Sequence, residues 1–394
     1  MSRFERGVAE VSTRPSIRIA VHPSIEDIDA AEWNGLDRGD QPFLRHEFFA
    51  ALAAHGAVGG RSGWHPRYLA ACCGDRLVGA LPLFIKDHSF GEFVFDWAWA
   101  DAYERGGLAY YPKLVVAIPY TPVTGHRLLL ADSPLRAEAT RGLIEGAIGQ
   151  ARDIGASSLH WLFTTADETE RLRAEGHLVR SGCQFHWENP GYGDFSDFLG
   201  TLSSRHRKKM RAERRGIRDQ GVEIEVLAGE AISAEAWNAF HRFYVLTYVR
   251  KGSRAPLTRG FFSAIGASLG RQVVLIMARD RGEYIAGALF FAGADALYGR
   301  NWGAREYHHH LHFELCYYRA MEYCIENGIR RFEAGAQGEY KVQRGFVPRT
   351  THSAHWVANA AFAAAISDFL AREDRALASY MDGLAARLPF KAPE

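Results

Sequence analysis

Two hydrophobic periods recur along the chain, and together they predict a mixed α/β protein. Apolar residues on alternate positions, or in short continuous runs, indicate strands, while apolar residues three or four positions apart indicate helices. The predicted strands are 16–22, 67–73, 76–85, 157–163, 177–187, 222–227, 329–335 and 353–358, with three more between 273 and 303. The predicted helices are 25–36, 42–56, 135–155, 168–176, 195–221, 234–250, 259–270, 312–328 and 359–387.

An aromatic segment follows the first predicted hairpin. Phe93, Phe95, Trp97 and Trp99 occupy alternate positions, which predicts a strand with one aromatic face. Such a face either packs into the core or covers a bound substrate. The candidate substrate-binding residues are Trp97, Asp101, Tyr298, Trp302 and Tyr340.

The length of the chain favours two domains. Its 394 residues exceed the size of one ordinary domain. Both halves run through helices, a β-meander, a helix and further strands, although no residue-level repeat is visible. The predicted divisions are a polar tail at 1–15, an N-terminal domain at 16–193, a second domain at 194–358 and a C-terminal helix at 359–394.

Composition and charge exclude several classes of protein. The formal net charge is +1, so the chain lacks the global basic excess of a dedicated nucleic-acid-binding protein. The five cysteines are scattered without a C-x-x-C pair, which predicts reduced thiols rather than a disulfide framework or a zinc site. The N-terminal residues lack the apolar core of a signal peptide, and no apolar run is long enough to cross a bilayer. A cytoplasmic location is expected.

Charges and glycines are concentrated in the segment FEAGAQGEYKVQRGF at 332–346, at the end of a predicted strand. Glycines permit positive φ and close approach of a ligand to the backbone. Transfer of an acyl group to an amine requires a base for the ammonium proton and donors for the oxyanion. Glu333 or Glu339 fits the base, while Lys341 or Arg344 fits the oxyanion donor or a group that holds an anionic substrate. A turn with surface ion pairs is the alternative interpretation.

A loop that leads into the predicted helix at 312–328 is the candidate site for an anionic donor. The N-terminus of a helix presents free N–H groups and the positive end of the helix dipole, which suit a phosphate. The candidate donor-binding residues are Arg300, Arg305, His308, His309, His310 and His312. A polar surface loop is the alternative. No metal site is expected, because these histidines lack an acidic or cysteine partner at ligand spacing.

The basic run RHRKKMRAERRGIR at 205–218 holds eight Lys or Arg residues and one Glu. A helix this basic could follow a phosphate backbone such as the acceptor stem of a tRNA, or it could be a solvated face. The candidate tRNA-binding residues are Arg205, Arg207, Lys208, Lys209, Arg211, Arg214 and Arg215.

Two of these stretches carry a family resemblance. LSSRHRKKMRAERRGIRDQGVEIEV at 202–226 resembles the basic helix and Gly-Val strand of Fem-type transferases. IENGIRRFEAGAQGEYKVQRGFVP at 325–348 resembles their segment with Tyr-Lys, a basic residue and Gly-Phe. The chain is identified as a member of a FemAB-type family of predicted N-acyltransferases in the GNAT superfamily, often labelled peptidoglycan biosynthesis protein. The resemblance covers roughly 37–360 and implies two tandem GNAT-like α/β domains with mixed sheets flanked by helices.

The resemblance implies an N-acyltransferase that moves an acyl group from acyl-CoA to an amine by direct attack in a ternary complex. The alternative is an aminoacyl-tRNA-dependent transferase acting on a peptidoglycan precursor or another amine, because the loop at 303–315 lacks the Gly-x-Gly of acetyl-CoA-using enzymes. A third interpretation is a non-catalytic binding protein on the same fold. No permanently bound cofactor is expected, and the expected partners are an acyl donor and an amine acceptor.

Overall fold

The computed structural model describes residues 16–39 and 41–391. Its strands are β1 (Ile17–His22), β2 (Trp64–Pro66), β3 (Tyr68–Cys73), β4 (Arg76–Leu81), β5 (Leu83–Lys86), β6 (Lys113–Val116), β7 (Leu129–Leu130), β8 (Ser158–Thr164), β9 (Leu178–Glu188), β10 (Glu223–Ala228), β11 (Val273–Asp280), β12 (Glu283–Ala292), β13 (Ala296–Ala304), β14 (Arg331–Glu333) and β15 (Val347–Val357). Its helices are α1 (Ala30–Asn34), α2 (His46–Ala54), α3 (Trp97–Arg105), α4 (Arg136–Asp153), α5 (Ala166–Ala174), α6 (Phe195–Thr201), α7 (Ser204–Asp219), α8 (Ala234–Val249), α9 (Arg259–Leu269), α10 (Leu311–Phe313), α11 (Arg319–Glu326) and α12 (Ala360–Ala385). A π-helical turn, Glu314–Tyr318, joins α10 and α11 into one continuous helix. The predicted polar tail at 1–15 lies outside the described residues.

Two sheets organise the strands, and the larger sheet joins both halves of the chain. The smaller has the order β1-β3-β4-β7, and the larger has the order β10-β11-β12-β13-β14-β9-β15-β8-β6-β5-β2. From the first half, β9 pairs with β14, while β15 from the second half lies between β9 and β8. The predicted boundary at 193/194 falls between β9 and α6, and the division into two domains there stays a prediction.

Among the residues that the structure describes, each half contains one parallel strand pair whose members are joined by a crossover through a helix. In the first half, β6 pairs in parallel with β8, and α4 lies between them in the chain. In the second half, β13 pairs in parallel with β14, and the α10–α11 helix lies between them. Parallel neighbours need such a crossover, because a tight turn only reverses the chain direction. The arrangement confirms the predicted mixed α/β class with helices flanking the sheets.

Aromatic side chains from both halves pack together in one core. The ring centroid of Phe43 lies 4.6 Å from that of Phe291 and 5.4 Å from that of Tyr298, and the ring of Phe48 lies 5.8 Å from that of Phe261. All five side chains are buried. Edge-on and tilted contacts of this kind add to the free energy gained by hydrophobic burial. The core places the start of α2 against β12 and β13, which border the candidate site.

The predicted strand at 93–99 is wrong, because α3 begins at Trp97 and the residues directly before it are irregular. Of the four aromatic side chains, only Trp99 is buried. Phe93, Phe95 and Trp97 are 37%, 54% and 40% exposed, while Asp96 is buried. The reason is a buried cation on β6 that holds acidic residues on the inner side of this segment.

Lys113 on β6 is that cation. Its ammonium donates hydrogen bonds to Ser89 Oγ at 2.8 Å, to Glu92 Oε2 at 2.8 Å and to a carboxylate oxygen of Asp96. All four side chains are buried. Burial raises the pKa of Glu92 to about 7. Burial also acts to raise the pKa of Asp96, but the charge of Lys113, together with smaller contributions that include its hydrogen bond, lowers that pKa to about 2. These bonds bind the segment before α3 to the sheet.

The predicted helix at 195–221 is divided into α6 and α7. The division lies at Leu202, whose backbone is extended with ψ of 151° and whose side chain is fully buried. Burial of this side chain outweighs the helical pattern that continues on both sides. Among all the helices of the described residues, none combines the length and the apolar character needed to cross a membrane.

Candidate active site

A cleft opens where β13 and β14 stop pairing. The parallel ladder runs from Ala296 opposite Arg331 to Tyr298 opposite Glu333, and the two strands diverge beyond this last pair. The space between them, called here the strand cleft, has a volume of about 150 Å³. The residues that line the strand cleft include Gly299, Arg300, Asn301, Trp302, His312, Cys316, Tyr317, Gly335, Gln337, Tyr340 and Lys341. Diverging strands leave backbone groups without ladder partners, so the cleft can bind a polar ligand.

Lys341 is a buried cation in the wall of the strand cleft. It is 2% exposed, and its Nζ donates a hydrogen bond to Gly335 O at 2.8 Å. Within residues 16–39 and 41–391, no carboxylate oxygen lies within 4.0 Å of this Nζ. Burial lowers the pKa of Lys341 to about 8. A buried ammonium without a carboxylate partner is costly to hold, and a negatively charged ligand would relieve that cost.

Aromatic side chains form the wall next to Lys341. The ring of His312 lies 5.2 Å from that of Trp302 and 5.4 Å from that of Tyr317, measured between centroids. Tyr317 donates a hydrogen bond to the hydroxyl of Tyr340 at 3.2 Å. Burial lowers the pKa of His312 to about 4, so its imidazole is neutral at pH 7. The wall therefore offers hydroxyl and imidazole groups, from buried Tyr317, from Tyr340, which is 43% exposed, and from His312.

Glu333 faces a different space from Lys341. Along β14 its side chain projects to the same side as Tyr298 and opens into a second cavity of about 470 Å³, called here the arginine-lined cavity. The lining of the arginine-lined cavity comprises Arg38, Gly39, Gln41, Thr124, Gly125, His126, Thr165, His186, Glu188, Tyr298, Arg331, Glu333, Arg349 and Thr350. Burial raises the pKa of Glu333 to about 7. The predicted base and the predicted substrate residue Tyr298 thus lie together, on the other side of the strand tip from Lys341.

Glu339 lies on the surface. Its carboxylate accepts two hydrogen bonds of 2.9 Å, one from Tyr380 on α12 and one from Arg387, which follows that helix. The Arg387 hydrogen bond is the largest cause that lowers the pKa of Glu339. A carboxylate that is exposed, paired and ionised serves poorly as a base for an ammonium proton.

The variant Glu339→Gln is therefore expected to retain wild-type acyl transfer and melting temperature. The amide keeps the shape of the side chain, and exposed ion pairs contribute little to stability. Steady-state rates and thermal melts of both proteins check this. A loss of rate with an unchanged melting temperature would place Glu339 among the reacting groups.

Arg344 is buried in an ion pair outside the lining of the strand cleft. Its guanidinium lies 3.3 Å from the carboxylate of Glu213 on α7 and 3.5 Å from the centre of the Phe313 ring. Tyr318 donates a second hydrogen bond to the same carboxylate. These contacts join α7 to the segment that carries Lys341, so the geometry favours a positioning role for Arg344.

The predicted donor-binding residues divide into two groups. Arg300 and His312 line the strand cleft, and Arg300 is held there by a hydrogen bond to the backbone oxygen of Tyr120. The other four, Arg305, His308, His309 and His310, lie on the loop before α10, outside the lining of the strand cleft. Arg305 is exposed and paired with Glu283 at 2.8 Å and Glu306 at 3.3 Å. Among the described residues, no group of three His, Cys, Asp or Glu side chains is placed to hold a metal ion.

Trp97 and Asp101 lie on α3 rather than on a strand. Neither lines the strand cleft or the arginine-lined cavity. The ring of Trp97 instead lies 5.2 Å from that of exposed Phe90. The structure therefore does not bring these two predicted substrate residues to Lys341 or Glu333.

A row of exposed cations on α7 lies beside the segment that carries Lys341. Lys209 Nζ donates to Gln343 Oε1 at 3.4 Å, which fixes this proximity. The exposed members of the row that the sequence predicted are Arg205, Lys208, Lys209, Arg211 and Arg215. Two predicted members differ: Arg207 is half-buried and donates to Leu202 O, and Arg214 is held between Glu314 and Glu322.

The arginine-lined cavity was missed by sequence reasoning. Its residues come from separated parts of the chain, and the pairing of β9 with β14 and β15 brings several of them together. No local motif marks them, because register between distant strands is not visible in one sequence. His186 and Glu333 gave the one usable signal, because both are polar residues within predicted strands, whereas Arg349 lies before the predicted strand at 353–358.

Comparison with solved structures identifies the fold. FemX is 12% identical, with a TM-score of 0.53, and the match covers 89% of this chain and 100% of that one. L-PGS from Bacillus licheniformis is 11% identical, with a TM-score of 0.50 and coverage of 87% and 96%. A conserved protein of unknown function from Bacteroides thetaiotaomicron is 10% identical, with a TM-score of 0.50 and coverage of 86% and 99%. At these identities the likeness shows the fold alone, and it confirms the predicted Fem-like fold.

A search of curated proteins found no match. The profile of one family does match, over residues 24–392. That family is FemAB-like and is described as peptidoglycan biosynthesis/recognition. Because the match covers nearly the whole chain, the protein belongs to the FemAB-like family.

Proposed function

We propose that the protein is an acyltransferase that moves an aminoacyl group from an ester-linked carrier to an amine, by direct attack in a ternary complex. The observation that carries the proposal is the buried ammonium of Lys341, which lines the strand cleft without a carboxylate within 4.0 Å among the described residues. The family's description supports a peptidoglycan precursor or a related compound as the acceptor.

A cation at this position suits the chemistry of acyl transfer. When an amine attacks an ester carbonyl, a C–N bond forms and the carbonyl oxygen becomes an oxyanion. The C–O bond to the carrier then breaks, the carrier hydroxyl leaves with a proton, and the amine has lost one. A buried ammonium that donates to the carbonyl oxygen stabilises this oxyanion more than the neutral ester, which is what lowers the barrier.

The exposed cations of α7 favour a tRNA as the carrier. They lie beside the segment that carries Lys341, where the backbone of a nucleic acid entering the strand cleft would pass. Each phosphate neutralised by Lys or Arg releases counterions and makes binding weaken with salt. An aminoacyl-tRNA donor would place the reaction in the cytoplasm.

The double variant Lys208→Glu/Arg211→Glu tests the carrier. We expect weaker binding of aminoacyl-tRNA. The slope of log affinity against log salt concentration should become shallower by about one for each phosphate that is no longer neutralised. Filter binding at several salt concentrations measures both. The control is Arg281→Glu, since the side chain of Arg281 is 93% exposed on the turn between β11 and β12. Acyl transfer that is insensitive to ribonuclease, with unchanged tRNA binding in the double variant, would contradict a tRNA carrier.

Acyl-CoA is the second candidate carrier, supported by the position of the loop before α10. That loop carries His308, His309 and His310 and leads into a continuous helix whose first turn contributes His312 to the strand cleft. A thermal-shift titration with acetyl-CoA tests it, because a ligand at about a hundred times its Kd stabilises a protein by ~2.7 kcal/mol. A saturable rise in Tm that His312→Ala removes would move acyl-CoA ahead of tRNA.

A further inference from the structure

The arginine-lined cavity has the features of a built binding site. At about 470 Å³ it is larger than the strand cleft and within the range of small-molecule sites in proteins. Its walls come from both halves of the chain, including the residues before α2, the loop before β7 and strands β9, β13, β14 and β15. Its lining residue Glu333 is two residues from Gly335 of the strand cleft, whose carbonyl accepts a hydrogen bond from Lys341, and its lining residue Tyr298 is next to Gly299 of the strand cleft.

Three buried side chains present unpartnered polar atoms in this cavity. Gln41 and Glu333 are each 4% exposed, and His186 is 9% exposed. Within the described part of the chain, Gln41 Oε1, Glu333 Oε2 and His186 Nε2 have no hydrogen-bond partner. Buried polar atoms in folded proteins are nearly always paired, because leaving one unpaired costs free energy. A cluster of three around one cavity indicates a missing polar ligand.

The charges of the cavity select an anionic ligand. Arg331 donates to Glu333 Oε1 at 3.0 Å, and Arg349 binds the carboxylate of Glu188. Arg38 differs, because its guanidinium donates to the backbone oxygen of Asn34 and no carboxylate of the described residues lies within 4.0 Å of it. A guanidinium with free donors matches the geometry of a carboxylate.

We propose that the arginine-lined cavity binds the acceptor, an amino acid or peptide whose free carboxylate is held by Arg38 and whose amine lies against Glu333. The assignment rests on the proposed function, which supplies the need for an acceptor. Glu333 Oε2 takes a proton from the acceptor ammonium, and the neutral amine then attacks the donor carbonyl across the tip of β14. As the C–O bond to the carrier breaks, the attacking nitrogen loses its second proton to the leaving oxygen, and the protonated carboxyl of Glu333 releases the first proton to water, so the step balances.

The charge state of Glu333 fits this role. Burial raises the pKa of its carboxyl to about 7, which suits a group that both accepts and releases a proton near neutral pH. The neighbouring imidazole of His186 lies 3.8 Å from Glu333 Oε2 and is neutral at that pH, because burial lowers its pKa to about 3. The imidazole therefore adds no competing charge to the site.

Isothermal titration calorimetry on the full chain, without a donor, tests the proposal. The probes are alanyl-alanine, its C-terminal amide and its N-acetyl derivative. We expect saturable binding of alanyl-alanine and about tenfold weaker binding of each blocked probe, since each lacks one of the two charged ends. Arg38→Gln is expected to weaken alanyl-alanine binding about tenfold and to leave binding of the amide unchanged. Arg281→Gln is the matched control, because the side chain of Arg281 is 93% exposed and is not part of the cavity lining.

Three results would overturn the assignment: no saturable heat with alanyl-alanine, equal binding of the peptide and its amide, or unchanged binding in Arg38→Gln. If Arg38→Gln lowers the melting temperature, Glu333→Gln serves instead, because it keeps the buried shape and should weaken binding of the C-terminal amide. Donor-ester hydrolysis by the wild type and Lys341→Met is measured in parallel. That assay needs no acceptor, so failure of the cavity assignment and failure of the proposed function are distinguishable.

Discussion

Replacing Lys341 by methionine is expected to lower kcat/KM for acyl transfer by a factor of about 10²–10³. Methionine fills a similar volume but cannot donate to the oxyanion. Lys341 lines the strand cleft, so its loss removes a charge that acts where charge develops in the reaction. The wild-type rate should also fall as pH rises through about 8, because the ammonium then loses its proton. The variant should lack this decline.

The same substitution is expected to stabilise the fold. Burial lowers the pKa of Lys341 from the usual 10.5 to about 8, a difference that corresponds to about 3 kcal/mol. Below about pH 8 the ammonium is charged in both states, so the wild type carries the full cost of burying it. Between pH 8 and 10.5 the folded protein is already neutral and the cost fades. The gain from Lys341→Met should therefore be largest below pH 8 and shrink above it.

Chemical denaturation at several pH values, together with steady-state rates, measures both effects. Lys251→Met is the control, since Lys251 is exposed in the turn after α8 and outside the lining of the strand cleft. Lower activity with higher stability is the combination typical of a functional charge held at a cost to the fold. Lower activity with lower stability would instead show that Lys341 supports the structure.

Replacing Lys113 by methionine is expected to lower the free energy of unfolding by about 3–5 kcal/mol. The ammonium is the shared partner of Glu92 and Asp96, and all three side chains are buried. Removing it leaves two carboxyl groups in a dry interior without their cation. Breaking a buried ion pair from one side costs more than replacing the whole pair by neutral groups.

Urea unfolding of Lys113→Met measures the loss. The triple variant Lys113→Met/Glu92→Gln/Asp96→Asn should recover part of it, because the amides carry no charge. Lys251→Met is again the control, because it makes the same Lys-to-Met replacement at an exposed position. If the single and triple variants are equally stable, then the network does not hold the segment before α3 as described.

The sequence predicted Lys341 better than it predicted the groups around it. Tyr340 and Lys341 do line the strand cleft, as the clustering of charge and glycine at 332–346 suggested. Glu333 was grouped with them because it is near in sequence, but the pleat of β14 turns it to the other side. Glu339 was grouped for the same reason, yet its partners Tyr380 and Arg387 come from the end of the chain.

Local patterns also could not show which side chains are buried. The alternation of Phe93, Phe95 and Trp97 has the form of a strand, but Lys113 is 16 or more residues away and decides which side faces inward. Similarly, the predicted strand at 353–358 is the second part of β15, whose place between β9 and β8 depends on pairing across more than a hundred residues. Helix boundaries such as those of α4, α8 and α9 were predicted closely because capping and periodicity are local.

A crystal structure of the protein with a hydrolysis-resistant aminoacyl donor, such as an amide-linked aminoacyl adenosine, tests the role of Lys341 most directly. We expect the acyl group in the strand cleft, with its carbonyl oxygen within hydrogen-bond distance of Lys341 Nζ, about 2.7–3.2 Å. An acyl group bound elsewhere, with Lys341 still bonded only to Gly335 O, would contradict this role.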